Sequence, residues 1–153
     1  MSDFTASSEV KPAHFLRADT AQFEYRQRSN PRTTNLDMLT YGTYHAAPGV
    51  VSDELFHREE EALLFCLEGE CVIEIEGGGA PVPMKYYDTL YVPRETPYRV
   101  VNESAETPVM LVVCRAPAEK RHPIHHARWE EVRSDEARIR HLDGKDVFIM
   151  FDV

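Results

Sequence analysis

Residues 61–79 read EALLFCLEGECVIEIEGGG. Two short apolar runs, from Ala62 to Leu67 and from Cys71 to Ile75, flank Gly69 and stop at three consecutive glycines. Runs of this length, rich in β-branched and aromatic residues, read as strands. A glycine between them marks a hinge, and the glycine triplet marks a turn. The neighbouring stretches continue the pattern. DTLYVPRE (88–95) is a short strand ending at Pro93, and PYRVVN (97–102) and PVMLVVCRAP (108–117) are two more, each introduced by a proline. Upstream, NLDMLTYGTYHAAPG (35–49) reads as a strand followed by a Pro48-Gly49 turn. At least six short strands separated by turn signals predict an all-β sandwich or barrel.

Two of these strands are apolar on both faces. In PVMLVVC, Val109, Leu111 and Val113 face one way, and Met110, Val112 and Cys114 the other. ALLFCL behaves alike. A sheet with one solvated face alternates more cleanly, so something covers the outer face. The N-terminal arm, the C-terminal segment and a second copy of the chain are the candidates.

The chain has 153 residues and a formal net charge of −9. That length suits one domain with a real core. The charge disfavours nucleic acid and anionic membrane surfaces as partners. No apolar run approaches the roughly 20 residues of a membrane-spanning helix. The start, MSDFTASSEVKPAHF, lacks the basic and apolar regions of a signal peptide. Cys66, Cys71 and Cys114 lie in apolar runs without a C-x-x-C pair, which predicts reduced core thiols in a cytoplasmic protein. Residues 1–12 are small and polar and read as a mobile arm. After Pro117 the chain is highly charged. It carries at most one short helix, around Trp129 to Arg140, before DVFIMFDV (146–153) closes it as an apolar strand. The expected organisation is an N-terminal arm and edge strand (1–34), a barrel (35–116) and a C-terminal extension (117–153).

The middle of the chain resembles the cupin superfamily of jelly-roll barrels over roughly residues 42–115. Cupins carry two motifs, G-x5-H-x-H-x(3–4)-E-x6-G and G-x5-P-x-G-x2-H-x3-N. Their histidines and glutamate usually hold one divalent metal. Laid on Gly49, the first motif puts Leu55 and His57 at the two histidine positions, Ala62 at the glutamate position and Gly69 at its close. The second puts Tyr87 and Glu95 at its glycines, Pro93 and Asn102 in register, and Tyr98 at the histidine. The scaffold positions agree, but of four usual ligands only His57 remains.

The resemblance implies a pocket lined by Leu55, His57, Ala62, Leu64, Cys66 and Tyr98, mainly apolar, with one imidazole and one phenol. A divalent metal takes three or four N, O or S ligands, so no metal cofactor is favoured. The alternative is an Fe, Mn, Ni or Zn site using His57 and Glu61, which needs a bulge to turn Glu61 inward. Glu59 and Glu60 read as solvated strand-end charges.

One cupin subset fits more closely. REEEALLFCLEGECVIEI, YYDTLYVPRETPYRVVN and MLVVCRAPAEKRHP resemble the N-terminal, metal-free half of the two-cupin uronate isomerases, 5-deoxy-glucuronate isomerase and 4-deoxy-5-hexosulose-uronate isomerase. Arg58-Glu59 and Tyr91-Val92-Pro93 match that half's pattern. The W-S-x-x-P-P-H-x-H stretch of the catalytic half is absent, so the resemblance carries over no catalytic residue. The chain is then either a free-standing relative of the non-catalytic half or a piece of something longer.

Other clusters read as structural. HPIHH (122–126) is a linker histidine cluster, with metal binding as its alternative. His45 lies on an early strand whose facing the sequence leaves open. Trp129 is a packing anchor for the C-terminal segment. Arg99 points outward, whereas Arg94, near the barrel mouth, could meet a carboxylate ligand. Three functions are expected from these readings. The first is a small-ligand-binding or structural barrel with a degenerate metal site, taking a small sugar acid or an apolar molecule and forming a homodimer through an apolar sheet face. The alternatives are a metal-dependent isomerase of a small sugar acid, and an assembly module for a separate catalytic cupin.

Overall fold

The computed structural model describes residues 16–17, 23–29, 32, 34, 38–77 and 79–151. The mobile arm expected at residues 1–12 lies outside them. Among the described residues twelve strands form: β1 (Leu16–Arg17), β2 (Phe23–Ser29), β3 (Thr40–Ala46), β4 (Glu60–Glu68), β5 (Cys71–Ile75), β6 (Val82–Met84), β7 (Thr89–Val92), β8 (Tyr98–Val101), β9 (Val109–Pro117), β10 (His125–Ala127), β11 (Ile139–Leu142) and β12 (Lys145–Phe148). A seven-stranded sheet runs β1-β2-β3-β9-β4-β7-β10 and faces a three-stranded sheet, β6-β5-β8. The pairings are antiparallel, and the architecture is an all-β jelly-roll barrel, within the all-β class that the strand pattern predicts and of the form that the cupin resemblance implies.

Alternation decides what enters the barrel. On β9, Val109, Leu111 and Val113 are buried, and on β4, Ala62, Leu64 and Cys66. Ile73, Met84, Leu90, Val92, Tyr98 and Val100 complete the core from the other strands. Asn102 ties the rim together. Its side-chain amide donates to the carbonyls of Ala46, Ala47 and Thr107, and its carbonyl accepts from the Ser104 N–H.

Four turns hold left-handed residues at the motif's spacing. Gly49 and Gly69 have φ of 73° and 74°. Among the described residues, the non-glycine residues with positive φ are Tyr87 (67°) and Glu95 (58°), the two residues standing where the cupin motif has glycine. The backbone shape is kept although the residue that adopts it most cheaply is gone. At Glu95 the turn has a definite task, because its N–H donates to the His57 carbonyl at 2.8 Å.

The C-terminal extension departs from expectation. The helix expected over 129–140 shrinks to α1 (Trp129–Val132) and a 3-10 turn at Glu136–Arg138. The Ser134 hydroxyl bonds back to Glu130 and Glu131, and the Asp135 carboxylate accepts from the Ala137 N–H, so side chains compete with the helix at its midpoint. The strand expected over DVFIMFDV forms at its start, as β12, within the extension. β12 pairs only with β11, in a hairpin turned by Asp143-Gly144. Its alternation leaves Val147 exposed, and Asp152 and Val153 lie outside the described residues. β6, β10 and β11 went unforeseen; β10 pairs with β7 and makes the extension an edge of the main sheet.

The extension also covers part of the outer face. Phe65 stacks on Tyr87, Trp129 meets Tyr87 edge-on, and Phe148 meets Trp129. Trp129 is thus the expected anchor, and its backbone N–H donates to the buried Asp88 carboxylate at 2.8 Å. Nearer the sheet centre, Tyr41 and Leu63 remain exposed. Among the described residues no helix is long and apolar enough to cross a membrane.

Candidate functional site

Backbone pairing at Leu55 builds the site. Leu55 and Tyr98 exchange N–H···O bonds of 2.8 and 3.0 Å as an isolated bridge. That bridge sets His57, two residues on, beside the phenol of Tyr98. His57 Nε2 and Tyr98 Oη are 3.1 Å apart, and Tyr98 Oη is 3.1 Å from Tyr44 Oη. On the other side of the imidazole, Arg115 Nη1 stands 3.4 Å from Nδ1. The same nitrogen donates to Glu60 at 3.1 Å, and Nη2 donates to the Tyr25 hydroxyl at 3.3 Å.

Donor chemistry orders this chain. A guanidinium has no acceptor, so Nδ1 of His57 must accept and Nε2 must carry the proton. Tyr98 then accepts from His57 and donates to Tyr44. The four side chains form one directed series, Arg115 to His57 to Tyr98 to Tyr44. It has a closed end and an open end. Tyr44 and Tyr98 are buried, whereas the Glu60 and Arg115 side chains keep 30% and 20% of their exposure.

The electrostatics favour neutral rings. Burial and the Arg115 charge push the His57 imidazole down to about 4. Burial pushes the Tyr44 phenol up to about 12, against the hydrogen bond from Tyr98. Tyr98 is raised well above its ordinary value by burial and by its Tyr44 neighbour.

The other pocket residues expected from the sequence have varied fates. Ala62, Leu64 and Cys66 lie on the inner face of β4 as packed core, and burial pushes the Cys66 thiol up to about 12. Glu61 is not brought to His57. It pairs across to Ala116 on the outer face, and its carboxylate accepts from the Tyr91 hydroxyl at 2.8 Å. His45 faces outward and bonds Thr43. His122 packs on Tyr91, His125 on Phe151, and His126 lies 3.5 Å from Asp88, so HPIHH gathers around no common point. Among the described residues no three His, Cys, Asp or Glu side chains are grouped to hold a metal ion. Arg99 is exposed, as alternation predicts. It lines a groove of about 420 Å³ with Glu54, Glu74 and Glu76, and Tyr98 contributes to the same lining.

Sequence reasoning missed Tyr25, Tyr44, Glu60 and Arg115. The signal existed for two of them. Arg115 continues the inward series Val109, Leu111, Val113, and Glu60 precedes the inward Ala62 by two residues.

Comparison with known proteins follows the same outline. Residues 42–114 match the family described as cupin domain. No curated protein is similar to the chain at a significant level. The solved structures similar to it include TT1209 from Thermus thermophilus, at 21% identity and a TM-score of 0.54, covering 76% of this chain and 96% of that one. A predicted oxalate decarboxylase from Thermotoga maritima matches at 17% identity and a TM-score of 0.58, covering 73% and 96%. Vicilin from Corylus avellana matches at 18% identity and a TM-score of 0.59, covering 74% of this chain and 33% of that one. Identities this low establish shared fold alone, and proteins so differently named show how little the fold fixes function.

Proposed function

We propose that the protein, whose residues 42–114 match the cupin domain family, is a small-ligand-binding barrel without a resident metal, related to the non-catalytic half of the two-cupin uronate isomerases. The observation that carries this reading is the hydrogen-bonded series Arg115, His57, Tyr98, Tyr44, in which His57 and Tyr98 stand at histidine positions of the cupin motif. Leu55 and Ala62 offer no donor atom. The Tyr98 phenol is held protonated, and the free lone pair of His57 faces Arg115. Glu61 is engaged on the opposite face of β4. This donor set does not fit a divalent ion, which takes three or four N, O or S ligands.

The same features weigh against the metal-dependent isomerase. Moving a proton between adjacent carbons needs a base matched to the working pH. An imidazole lowered to about 4 is a poor base near neutrality, and the phenols stay protonated. What the site offers instead is a fixed array of donors and acceptors at the open end, from Glu60, Arg115 and Tyr25, with the His57 ring behind them. Such an array suits a hydroxyl-rich small acid better than an apolar molecule.

The uncovered outer face, with Tyr41 and Leu63 exposed beside Met110, Val112 and Cys114, supports a homodimer through the main sheet. The three free thiols suit the cytoplasm.

Titration of sugar acids and of apolar small molecules into protein labelled at histidine tests the ligand reading. Sugar acids are expected to move the His57 resonances, and Tyr98→Phe to weaken that response. Binding by apolar molecules alone, or by none of the panel, would overturn it.

A further inference from the structure

Strand register places a second arginine at the barrel mouth. On β4 and β7, Ala62 stands opposite Val92, and on β4 and β9 it stands opposite Arg115. One row nearer the mouth, Glu60 pairs with Pro117. Continuing the β4–β7 register past Val92 brings Arg94 opposite Glu60, on the inward side by alternation. The following residues fasten this corner to His57. The Glu95 N–H donates to the His57 carbonyl, and the buried Thr96 hydroxyl bonds the Arg94 carbonyl and receives Nη2 of Arg121 at 3.2 Å. Three guanidinium-bearing residues, Arg94, Arg115 and Arg121, therefore meet around one corner of the barrel.

Their charges are incompletely answered. Glu60 bridges Arg115. Among the described residues no carboxylate lies within ion-pair distance of Arg94 or Arg121. The Nε–H groups of Arg94 and Arg115 are both buried without an acceptor. A buried donor left unpaired is costly, and two flanking one site call for a shared acceptor. In a chain of net charge −9, such a cationic corner stands out from its surroundings.

We infer that the barrel mouth holds an oxyanion subsite, in which Arg94 and Arg121, beside Arg115, take the carboxylate or phosphate group of the bound molecule. Guanidinium forks match the paired oxygens of both groups, and the bonds are charge-assisted. This rests on the ligand-binding reading above and adds to it the chemical handle that the ligand must carry.

Three probes sharing one ring separate the possibilities: D-glucuronate, D-glucose 6-phosphate and D-glucose, each titrated into the full chain by calorimetry. At least one anionic probe is expected to bind about tenfold or more tighter than glucose, the size of one charge-assisted contact. Whether glucuronate or the phosphate binds tighter names the anion. Arg94→Gln and Arg121→Gln are each expected to remove most of that preference, while Arg94→Lys keeps part of it. Arg121 is exposed, so its variant carries the test if Arg94→Gln fails to fold. Equal binding of glucose and both anions, or a preference untouched by either variant, overturns the subsite but leaves a ligand-binding barrel. Failure of all three probes to bind overturns the subsite together with the reading beneath it.

Discussion

The imidazole of His57 and the phenol of Tyr98 stand 3.1 Å apart, joining the segment between β3 and β4 to the first residue of β8. Here the contact is a hydrogen bond in a series that begins at Arg115 and ends at Tyr44. The bond has direction, because only the Nε2–H tautomer of His57 satisfies both neighbours. The consequences can be measured.

Removing the middle hydroxyl breaks the series in two places. Tyr98→Phe leaves the His57 N–H and the Tyr44 hydroxyl without their partner, in a region where Tyr98 itself is 1% exposed. The expected loss is about 2 kcal/mol of unfolding free energy, the cost of stranding buried polar groups. Urea denaturation of the variant, compared with Tyr44→Phe, measures it. Tyr44→Phe interrupts only the end of the chain and is expected to cost less.

Acid should weaken the fold through His57. Burial and Arg115 hold its folded value near 4, below the ordinary 6.5. Between those values the unfolded chain takes up a proton that the folded chain refuses. The contribution is therefore complete above pH 6.5 and is lost as pH falls through 4. Its size is up to about 3 kcal/mol. His45 and His126 are also lowered, chiefly by burial, and add the same sign. The test is the difference between wild type and His57→Gln across pH 4 to 7, where the variant's melting temperature is expected to fall less steeply.

Glu95 holds φ of 58° at a glycine position of the motif, and its side chain is exposed. Replacing it with glycine relieves the left-handed strain while keeping the N–H bond to His57. Glu95→Gly is expected to raise stability by about 1 kcal/mol, seen as a higher urea midpoint. The same change at Tyr87 is expected to destabilise, because the ring packs against Phe65, Tyr86 and Trp129.

Asn102 satisfies three carbonyls from two segments and is 1% exposed. Asn102→Ala strands those acceptors and should cost about 3 kcal/mol. Asn102→Asp keeps the bond from Ser104 but loses every donor, so it is expected to be nearly as harmful. Thermal unfolding of both variants checks the ranking.

Strand alternation made most of the fold legible. Val109, Leu111 and Val113, with Ala62, Leu64 and Cys66, announced the inner faces of β9 and β4. The spacing from Gly49 to Gly69 and from Tyr87 to Asn102 fixed the turns, including two where glycine had been replaced. β10 stayed hidden because His125-His126-Ala127 carries no apolar rhythm and owes its strand to pairing with β7. The closing strand was legible from its apolar residues, but its partner β11 was not, because Ile139–Leu142 lies in a charged stretch that reads as helix.

The candidate site was half legible. His57 and Tyr98 came from motif spacing. Glu60 and Arg115 did not, because charged residues at strand ends usually face solvent, and here the register turns both inward. Tyr44 lay in a Thr- and Tyr-rich strand whose facing only the pairing with β9 reveals.

In the proposed reading the barrel holds a hydrogen-bonded polar series and no resident metal. Elemental analysis of protein made without a histidine tag, equilibrated with iron, manganese, nickel and zinc, is run beside His57→Ala. Substoichiometric metal, the same in both proteins, is the expected result. About one ion per chain, lost in the variant, would overturn the reading.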